Sequence, residues 1–585
     1  MSVYKIHILN RDYESWNIFN SSTLEPVNLD NFTPLEHKLL NNDAFTYNDT
    51  SSSVNIKLIH STTRINENIP AVLILANGKT YGRDSVNGKL LYKCIPDDTR
   101  IPIFLVPYEI KQLGFSKVYT NLYVTIRFKE WTAKHPSGTI NQIIGSVDIL
   151  ENYYEYQLYC KSLHASIQKF NKATLTAIKQ STNDAHDTFI TQICDKYQQI
   201  EDRTYWKTFT IDPATSLDFD DAFSIKSLEN GQHLVSIYIS NVTIWMDALN
   251  LWSSFSQRIS TIYLPDRKRP MLPTILSDGL CSLQQTVRRF AFVMDIVVGG
   301  DGSIISINNS NCLIKVFRNY GYEEPALLAD SDYKKLFEVT KGLSTKYKYM
   351  NHLRNSHDLV GYLMILMNYH CARDLLLFKN GIFRSSIIKK QVTLPNDIPS
   401  DVGQFIKIWN SVCGQYISID DIPDESLEQL VKHELLEVDA YIHITSPIRR
   451  LIDLLNMIQF QKNHNMITLT KEADEFYLNW LGQLDYINTT MRAIRKVQYE
   501  CSLLDTCIND PTVLDKTYDG YCFDKLARND GLYQFIVYLP SIKLASRITM
   551  RDDLENFEKK QYKLYLFNNE EKFKKKIRLH IVSDC

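Results

Sequence analysis

The sequence has no CxxC pair and no cysteine cluster; its 11 cysteines are scattered singly along 585 residues. That scatter excludes the dense framework of a small secreted scaffold and the paired-thiol zinc site, so reduced thiols are expected. Long hydrophobic runs are also missing: stretches such as residues 71–76, AVLILA, fall far short of the ~20 apolar residues that cross a bilayer. The opening MSVYKIHILNRDYESW becomes charged too early for a secretory leader, which predicts an intracellular protein, cytoplasmic or nuclear, with no membrane partner. An excess of one charge is absent as well, since 65 Lys and Arg face 67 Asp and Glu for a net of −2. A uniformly basic nucleic-acid binder is thereby excluded, though a basic channel inside a neutral shell is not. No repeat of solenoid period and no low-complexity tract interrupts the chain, and the serine cluster 51–53 reads as a loop. With 44% hydrophobic and 23% charged residues, the composition is that of an ordinary globular protein of several domains.

The pattern that is present divides into segments. Up to residue 162, short apolar runs are broken by turn residues, with Asn77-Gly78 after AVLILA and Asn87-Gly88 before KLLYKCI. Such period-two runs joined by Asn-Gly predict hairpins of small β-barrels. Residues 163–203 lack proline and repeat apolar side chains at near-helical spacing (Leu163, Ile167, Phe170, Ile190, Ile193), which predicts a helical linker. From 204 to 508, strand-like HLVSIYIS and FAFVMDIVV mix with helical segments near 332–349, 357–378, 448–462 and 469–504, so an α+β domain is expected. Residues 509–585 return to hairpin periodicity around Asn529-Asp530-Gly531, as a final five-stranded barrel would.

Three segments carry chemistry. TFTIDPATSLDFDDAFSI, residues 208–225, packs Asp212, Asp218, Asp220 and Asp221 together. Carboxylates this close repel one another unless cations separate them, and hard divalent ions with oxygen ligands suit the task. A two-metal phosphodiester site is one outcome; a solvated acidic turn or a calcium loop is another, although the glycine and final glutamate of an EF-hand are missing. AYIHITSPIRRLIDLL, residues 440–455, predicts a helix beginning at Ile448 with Arg449 and Arg450 in its first turn and Asp453 one turn on. Two cations there oppose the helix dipole, a cost that a bound phosphate offsets; a surface ion pair is the alternative. RISTIYLPDRKRPMLPTILSDGLCSL, residues 258–283, sets Tyr263 among Arg258, Arg267, Lys268, Arg269 and three prolines. An aromatic held rigidly beside cations can stack on a base near a phosphate, and a plain basic loop is the alternative.

Together these segments resemble the ribonuclease II and ribonuclease R family of exoribonucleases, whose catalytic domain is called RNB. TIDPATSLDFDDA is similar to its acidic signature, YLPDRKRPMLPTILSDGLCSL to its strand-to-loop signature, and IHITSPIRR to its arginine signature. RIPIFLVPYEI, residues 100–110, with residues 120–151 further resembles the second cold-shock-like barrel of the eukaryotic exosome exonuclease branch. The resemblance implies a multidomain α+β architecture: a reduced cold-shock-like barrel at 1–62, a second cold-shock-like OB barrel at 63–162, the helical linker 163–203, the RNB catalytic domain 204–508, and a C-terminal OB-fold RNA-binding barrel at 509–585. It implies that Asp212, Asp218 and Asp221 hold metal, magnesium with manganese as a substitute. Asp220, of the same cluster, matches the aspartate whose loss abolishes cleavage but spares RNA binding. It assigns Arg449, with Arg450 beside it, to the phosphate, and Tyr263 and Tyr322 to the 3′-terminal bases. The activity implied is processive 3′-to-5′ hydrolysis of single-stranded RNA to nucleoside 5′-monophosphates by a two-metal-ion mechanism, carried out by a monomer that could join an RNA-degradation complex.

The sequence also departs from that family. HDLVGYLMILMN, residues 357–368, stands where paired glutamates are usual, so Gly361 and Tyr362 occupy positions expected to meet the 3′-terminal nucleotide. Such differences resemble a compact, divergent member of the sort carried by large DNA viruses, without an N-terminal endonuclease domain. They keep two rivals in view: a catalytically weakened RNB-fold protein that binds RNA or scaffolds a complex, and a metal nuclease acting on DNA or a short oligonucleotide. The Lys-rich end, with Lys572, Lys574, Lys575, Lys576 and Arg578, is either a phosphate track or a solvated face. His443 is expected to be structural.

Overall fold

The computed structural model describes residues 2–29, 32–50, 53–110, 119–181, 186–197, 199–350, 352–386, 392–410, 414–420, 424–569 and 573–582. Ser51, Ser52 and Lys572 of the preceding section lie outside these residues.

Strands Val3–Ile8, Trp16–Asn20, Ala44–Thr50 and Ser53–His60 form an open antiparallel sheet in the order second, first, third, fourth. The reduced barrel expected at 1–62 is therefore not closed: its two edge strands do not pair, and the connection after Trp16–Asn20 contributes Phe32, Leu39 and Leu40 to the core instead of a fifth strand. Trp131 of the next unit completes that core, edge-on to Tyr13. The next unit is a closed barrel of Ile69–Leu73, Leu91–Pro96, Phe104–Pro107, Leu122–Glu130 and Ser137–Ser146. At its turns Asn77 and Asn87 each accept a bond from the amide two residues on, and Gly78 and Gly88 take positive φ of 63° and 68°. This is the hairpin chemistry that Asn-Gly encodes.

Helix α1 (Leu150–Cys160) leaves this barrel with Tyr153, Tyr154 and Tyr156 buried, and helices Gln168–Ser181 and His186–Lys196 lead on. A second closed barrel follows: β1 (Ile200–Asp212), β2 (Asp221–Ser227), β3 (His233–Ser240), β4 (Arg288–Val298) and β5 (Ile304–Gly321). Neighbours are antiparallel except β1 and β5, whose parallel pairing closes the ring. β3 and β4 are largely buried on both faces and mostly apolar; among the buried polar exceptions, Ser236 and Asp295 are bonded to one another. Ala222, Tyr238, Ala291 and Val293 pack inside, while Phe223, Ile237 and Phe292 face helices α2 (Ser356–Leu377) and, further on, α4 (Leu451–Asn463). Asn355 caps α2 by accepting the Asp358 amide at 2.9 Å.

Helix α3 (Ser400–Asn410) lies between them in sequence and packs on the C-terminal unit, Phe405 stacking on Tyr538 at 3.8 Å. α4 begins at Leu451, not Ile448: the amides of Arg449 and Arg450 bond back to the Ser446 carbonyl in a separate turn, and Asp453 supplies the acid of the first helical turn. Arg449 and Arg450 thus precede the helix rather than burden its first turn.

The long helix α5 (Leu484–Asn509) runs to a five-stranded sheet, Thr517–Ala527, Tyr533–Leu539, Leu544–Met550, Lys559–Asn569 and Lys574–Ile581, ordered third, second, first, fourth, fifth. Its last hairpin docks on the N-terminal half: Tyr123 Oη donates to the Phe573 carbonyl at 3.1 Å, Tyr153 Oη to the Lys575 carbonyl at 3.2 Å, and Lys574 pairs with Asp97 at 2.8 Å. Among the described residues, no helix is long and apolar enough to cross a membrane.

Candidate active site

β1 ends at Asp212 and β2 begins at Asp221, so neighbouring strands bring both carboxylates to one end of the central barrel. The connecting residues 213–220 are fastened to the third motif. Ser282 Oγ accepts the Phe219 amide at 3.1 Å and donates to the Leu217 carbonyl at 2.8 Å, while the Leu283 amide reaches the Phe219 carbonyl at 3.0 Å. The arginine motif is held by the same stretch, because the Arg449 carbonyl accepts the Thr261 amide at 3.0 Å and Ser260 Oγ at 2.9 Å. Three segments far apart in sequence therefore line one cavity of about 460 Å³.

Within it the aspartates play different parts. Asp220 is buried; its Oδ1 accepts the Ile448 amide at 3.0 Å and its Oδ2 accepts Arg449 Nε at 3.0 Å. Burial pushes its pKa up to about 6, against the opposing pull of Arg449. Asp218 is engaged too, Oδ1 by Lys268 Nζ at 2.9 Å and Oδ2 by the Tyr263 hydroxyl at 3.3 Å. Asp212 and Asp221 differ: among the described residues, Oδ2 of each is buried without a hydrogen-bond partner. Burial raises Asp212 to about 7, and burial followed by the charge of Asp212 raises Asp221 well above the usual carboxylate range.

Arg449 Nη2 also donates to Ser446 Oγ at 2.9 Å, so its guanidinium is gripped at two nitrogens. Arg450 lines the cavity but spends Nη2 on Asp453 at 2.8 Å. Tyr263 is 42% exposed at the cavity's edge. Tyr322 lines the same space, its amide bonded to the Asp212 carbonyl at 3.0 Å and its ring stacked on His357 at 3.6 Å and 11°. His443 bonds Tyr416 Oη through Nδ1 at 2.8 Å, and burial lowers its pKa well below the ordinary value, which keeps it neutral. His443 also lines the cavity.

Gly361 and Tyr362 do not line the cavity. Tyr362 is buried with its hydroxyl on the Tyr347 carbonyl at 3.0 Å, and a side chain at Gly361 would point at Met350 Sδ, 3.7 Å away. The face of α2 that reaches the cavity repeats every fourth residue, Val360, Met364 and Asn368, and is mostly apolar. Sequence reasoning missed this face, and it missed what Lys268 does: Nζ bridges Asp218 and Asp278, each at 2.9 Å. The alternation in residues 258–283 revealed cations but not which of them turns inward.

Among the described residues, no group of three or more His, Cys, Asp or Glu side chains is arranged to hold a metal ion. What the cleft offers is two open carboxylates, Asp212 and Asp221. Such a pair suits magnesium, which keeps several waters and takes its remaining oxygens from a substrate phosphate.

A family model described as RNB domain matches residues 200–368. Ribonuclease R of Buchnera aphidicola is 24% identical over 503 residues, covering 74% of this chain and 66% of the relative. DIS3-like exonuclease 2 of Schizosaccharomyces pombe is 26% identical over 208 residues, 34% of this chain and 22% of its own. The chain thus spans about two-thirds of the first relative and about a fifth of the second. Among solved structures, Mycoplasma genitalium RNase R in complex with ribose-methylated single-stranded RNA has a similar fold, with TM-score 0.66, 16% identity and coverage of 100% of this chain and 97% of that one. Yeast Ssd1, described as a pseudonuclease, has TM-score 0.59 at 12% identity, covering 96% of this chain and 80% of its own. A closed barrel bearing the acidic signature, an arginine motif seated against it and β-sheet units on either side lead to one conclusion: the chain carries an RNB domain over residues 200–368 and is similar to ribonuclease R over most of its length.

Proposed function

We propose that the chain is a divalent-metal-dependent 3′-to-5′ exoribonuclease that shortens single-stranded RNA processively, releasing nucleoside 5′-monophosphates. The observation that carries this reading is a pair of carboxylates, Asp212 and Asp221, each with a buried Oδ2 that has no hydrogen-bond partner among the described residues, beside an arginine held by Asp220.

Each residue has a task. Asp220 holds Arg449 by Nε and the start of its turn by the Ile448 amide, so the guanidinium waits in place for the scissile phosphate and needs no reorganisation when charge develops there. Tyr263 and the Tyr322–His357 stack offer ring faces that receive bases without reading their sequence. Asp212 and Asp221 would hold magnesium, or manganese in its place; when bound, the ion supplies neutralisation of phosphate charge and activation of water. A two-ion scheme, which four aspartates suggest, would require Asp218 or Asp220 to surrender a partner from the protein. The closed barrel within 63–162 and the C-terminal sheet within 509–585 serve as RNA-guiding OB units around the catalytic domain 204–508 in this reading, and the protein works as an intracellular monomer or within a degradation complex.

A second reading is an RNA-binding protein that has lost cleavage. The apolar wall of Val360 and Met364 favours it, since neither side chain offers the terminal ribose a strong hydrogen-bond acceptor. A time course on 5′-labelled single-stranded RNA with magnesium, run beside Asp220→Asn and a matched DNA, decides. Progressive shortening from the 3′ end by the unmutated protein alone, on RNA alone, is expected. Tight binding without shortening in either magnesium or manganese leaves the second reading, and equal shortening of DNA removes the RNA preference.

A further inference from the structure

Both oxygens of Asp218 are occupied, one by Tyr263 Oη and the other by Lys268 Nζ. Lys268 stands on the short strand Lys268–Arg269, which pairs with Ile262–Tyr263 so that Lys268 lies opposite Tyr263. Its ammonium reaches Asp278 on the turn Ile275–Leu280 as well as Asp218, at 2.9 Å from each. An ammonium between two carboxylates takes the place that a cation bridging them would take, and it is tethered covalently. Asp220 has no open oxygen either, one being bound by a backbone amide and the other by Arg449. Only Asp212 Oδ2 and Asp221 Oδ2, buried and unpartnered among the described residues, await a cation from solution.

We propose that Lys268 is a built-in substitute for a second divalent ion: this cleft loads one ion, between Asp212 and Asp221, while the lysine holds Asp218 and, through it, the Tyr263 ring. Lys268 is then a positioning residue, and a divalent ion could reach Asp218 only against the repulsion of the ammonium, or after breaking its bonds to Asp218 and Asp278. The inference rests on the metal-dependent reading of the cleft, and its consequence is a stoichiometry rather than a rate.

The test is manganese binding to the full-length protein, by equilibrium dialysis for the count and by electron paramagnetic resonance for the environment. One Mn²⁺ per chain with the spectrum of an isolated ion is expected, and Asp221→Asn should lose it. Lys268→Met, similar in length but uncharged, should load two ions whose spectra are coupled by proximity, whereas Lys268→Arg should return the count to one. Two coupled ions in the unmutated protein would overturn the proposal, as would a count of one in a folded Lys268→Met chain. A count of zero that leaves RNA binding intact would instead remove the metal-dependent reading and the proposal with it. Under the proposal, Lys268→Met also weakens the hold on Tyr263, so RNA affinity measured without metal should fall several-fold and recover in Lys268→Arg.

Discussion

Burial acts with opposite sign on the acids and the imidazoles of this protein. Asp212 and Asp220 are pushed up to about 7 and 6, so the metal-free fold keeps protons there that the unfolded chain releases, and the cleft is a local cost at neutral pH. His370 and His433 are pushed the other way, each to about 4, by burial first and then by Arg373 and Arg384 respectively. Each also keeps a buried ring nitrogen without a partner among the described residues. At these two histidines the native state binds fewer protons than the unfolded chain between about pH 6.5 and 4, opposite in sign to the two aspartates. Stability from the histidines is complete above pH 6.5 and drains away as pH falls toward 4, by up to about 3 kcal/mol for a histidine shifted this far. The raised aspartates act oppositely over this range in every variant, so the histidine part is read as a difference: between pH 7 and pH 4.5 the denaturant midpoint of metal-free His433→Phe, which keeps a ring against Tyr441, should fall less, or rise more, than that of the unmutated protein. An equal change in that variant would place the acid sensitivity elsewhere.

Elements meet in places where a single atom decides the packing. Gly302, in the turn between β4 and β5, has φ of 77°, and a Cβ there would lie 2.8 Å from the backbone oxygen of Gly342 in helix Ser331–Lys346. Neither the backbone conformation nor the backbone neighbour can yield cheaply, so Gly302→Ala should destabilise the central barrel by roughly 1–3 kcal/mol. Gly231→Ala, also at positive φ but with open space around it, tests the conformational part alone and should cost less; equal midpoints for the two variants would deny the packing contribution. The Asp-Gly turn is readable from the sequence, but its contact with a helix some 40 residues on is not. Other elements divide in the same way. The alternating strands and the Asn-Gly turns were readable because side-chain period and turn chemistry are local. The start of α4 was not, because the turn at 446–450 answers to Asp220 and to Ser260, partners that lie about 190 to 230 residues away. For the same reason the four aspartates were readable as a cluster, whereas their division into two open and two engaged carboxylates depends on Lys268 and Arg449 arriving from other segments.

At the scale of the molecule, the two ends of the chain are joined through α1. Tyr153, Tyr154 and Tyr156 of that helix share a core with Leu566, Phe573 and Ile577 of the last hairpin, and Tyr123 of the N-terminal barrel stacks on Tyr156 at 4.3 Å. Tyr154 Oη adds a bond to Asp505 of α5 at 2.9 Å, so helix, barrel and hairpin converge on one cluster of tyrosines. The hydroxyls of Tyr123 and Tyr153 end on backbone carbonyls of the hairpin, at residues 573 and 575. Composition could not reveal this, since 34 tyrosines are spread along the whole chain. Removing both hydroxyls, in Tyr123→Phe with Tyr153→Phe, keeps the rings and their stacking but leaves two carbonyls without donors, at about 1–3 kcal/mol in all. That loss should be felt where the hairpin docks and not in the central barrel, because cooperative units open separately. Amide exchange over residues 574–581 should accelerate by roughly tenfold, as about 1.4 kcal/mol implies, while β3 and β4 exchange as before. Faster exchange spread evenly over all three regions would mean that the terminal units and the catalytic barrel unfold as one body, and that the tyrosine cluster does more than fasten one end to the other.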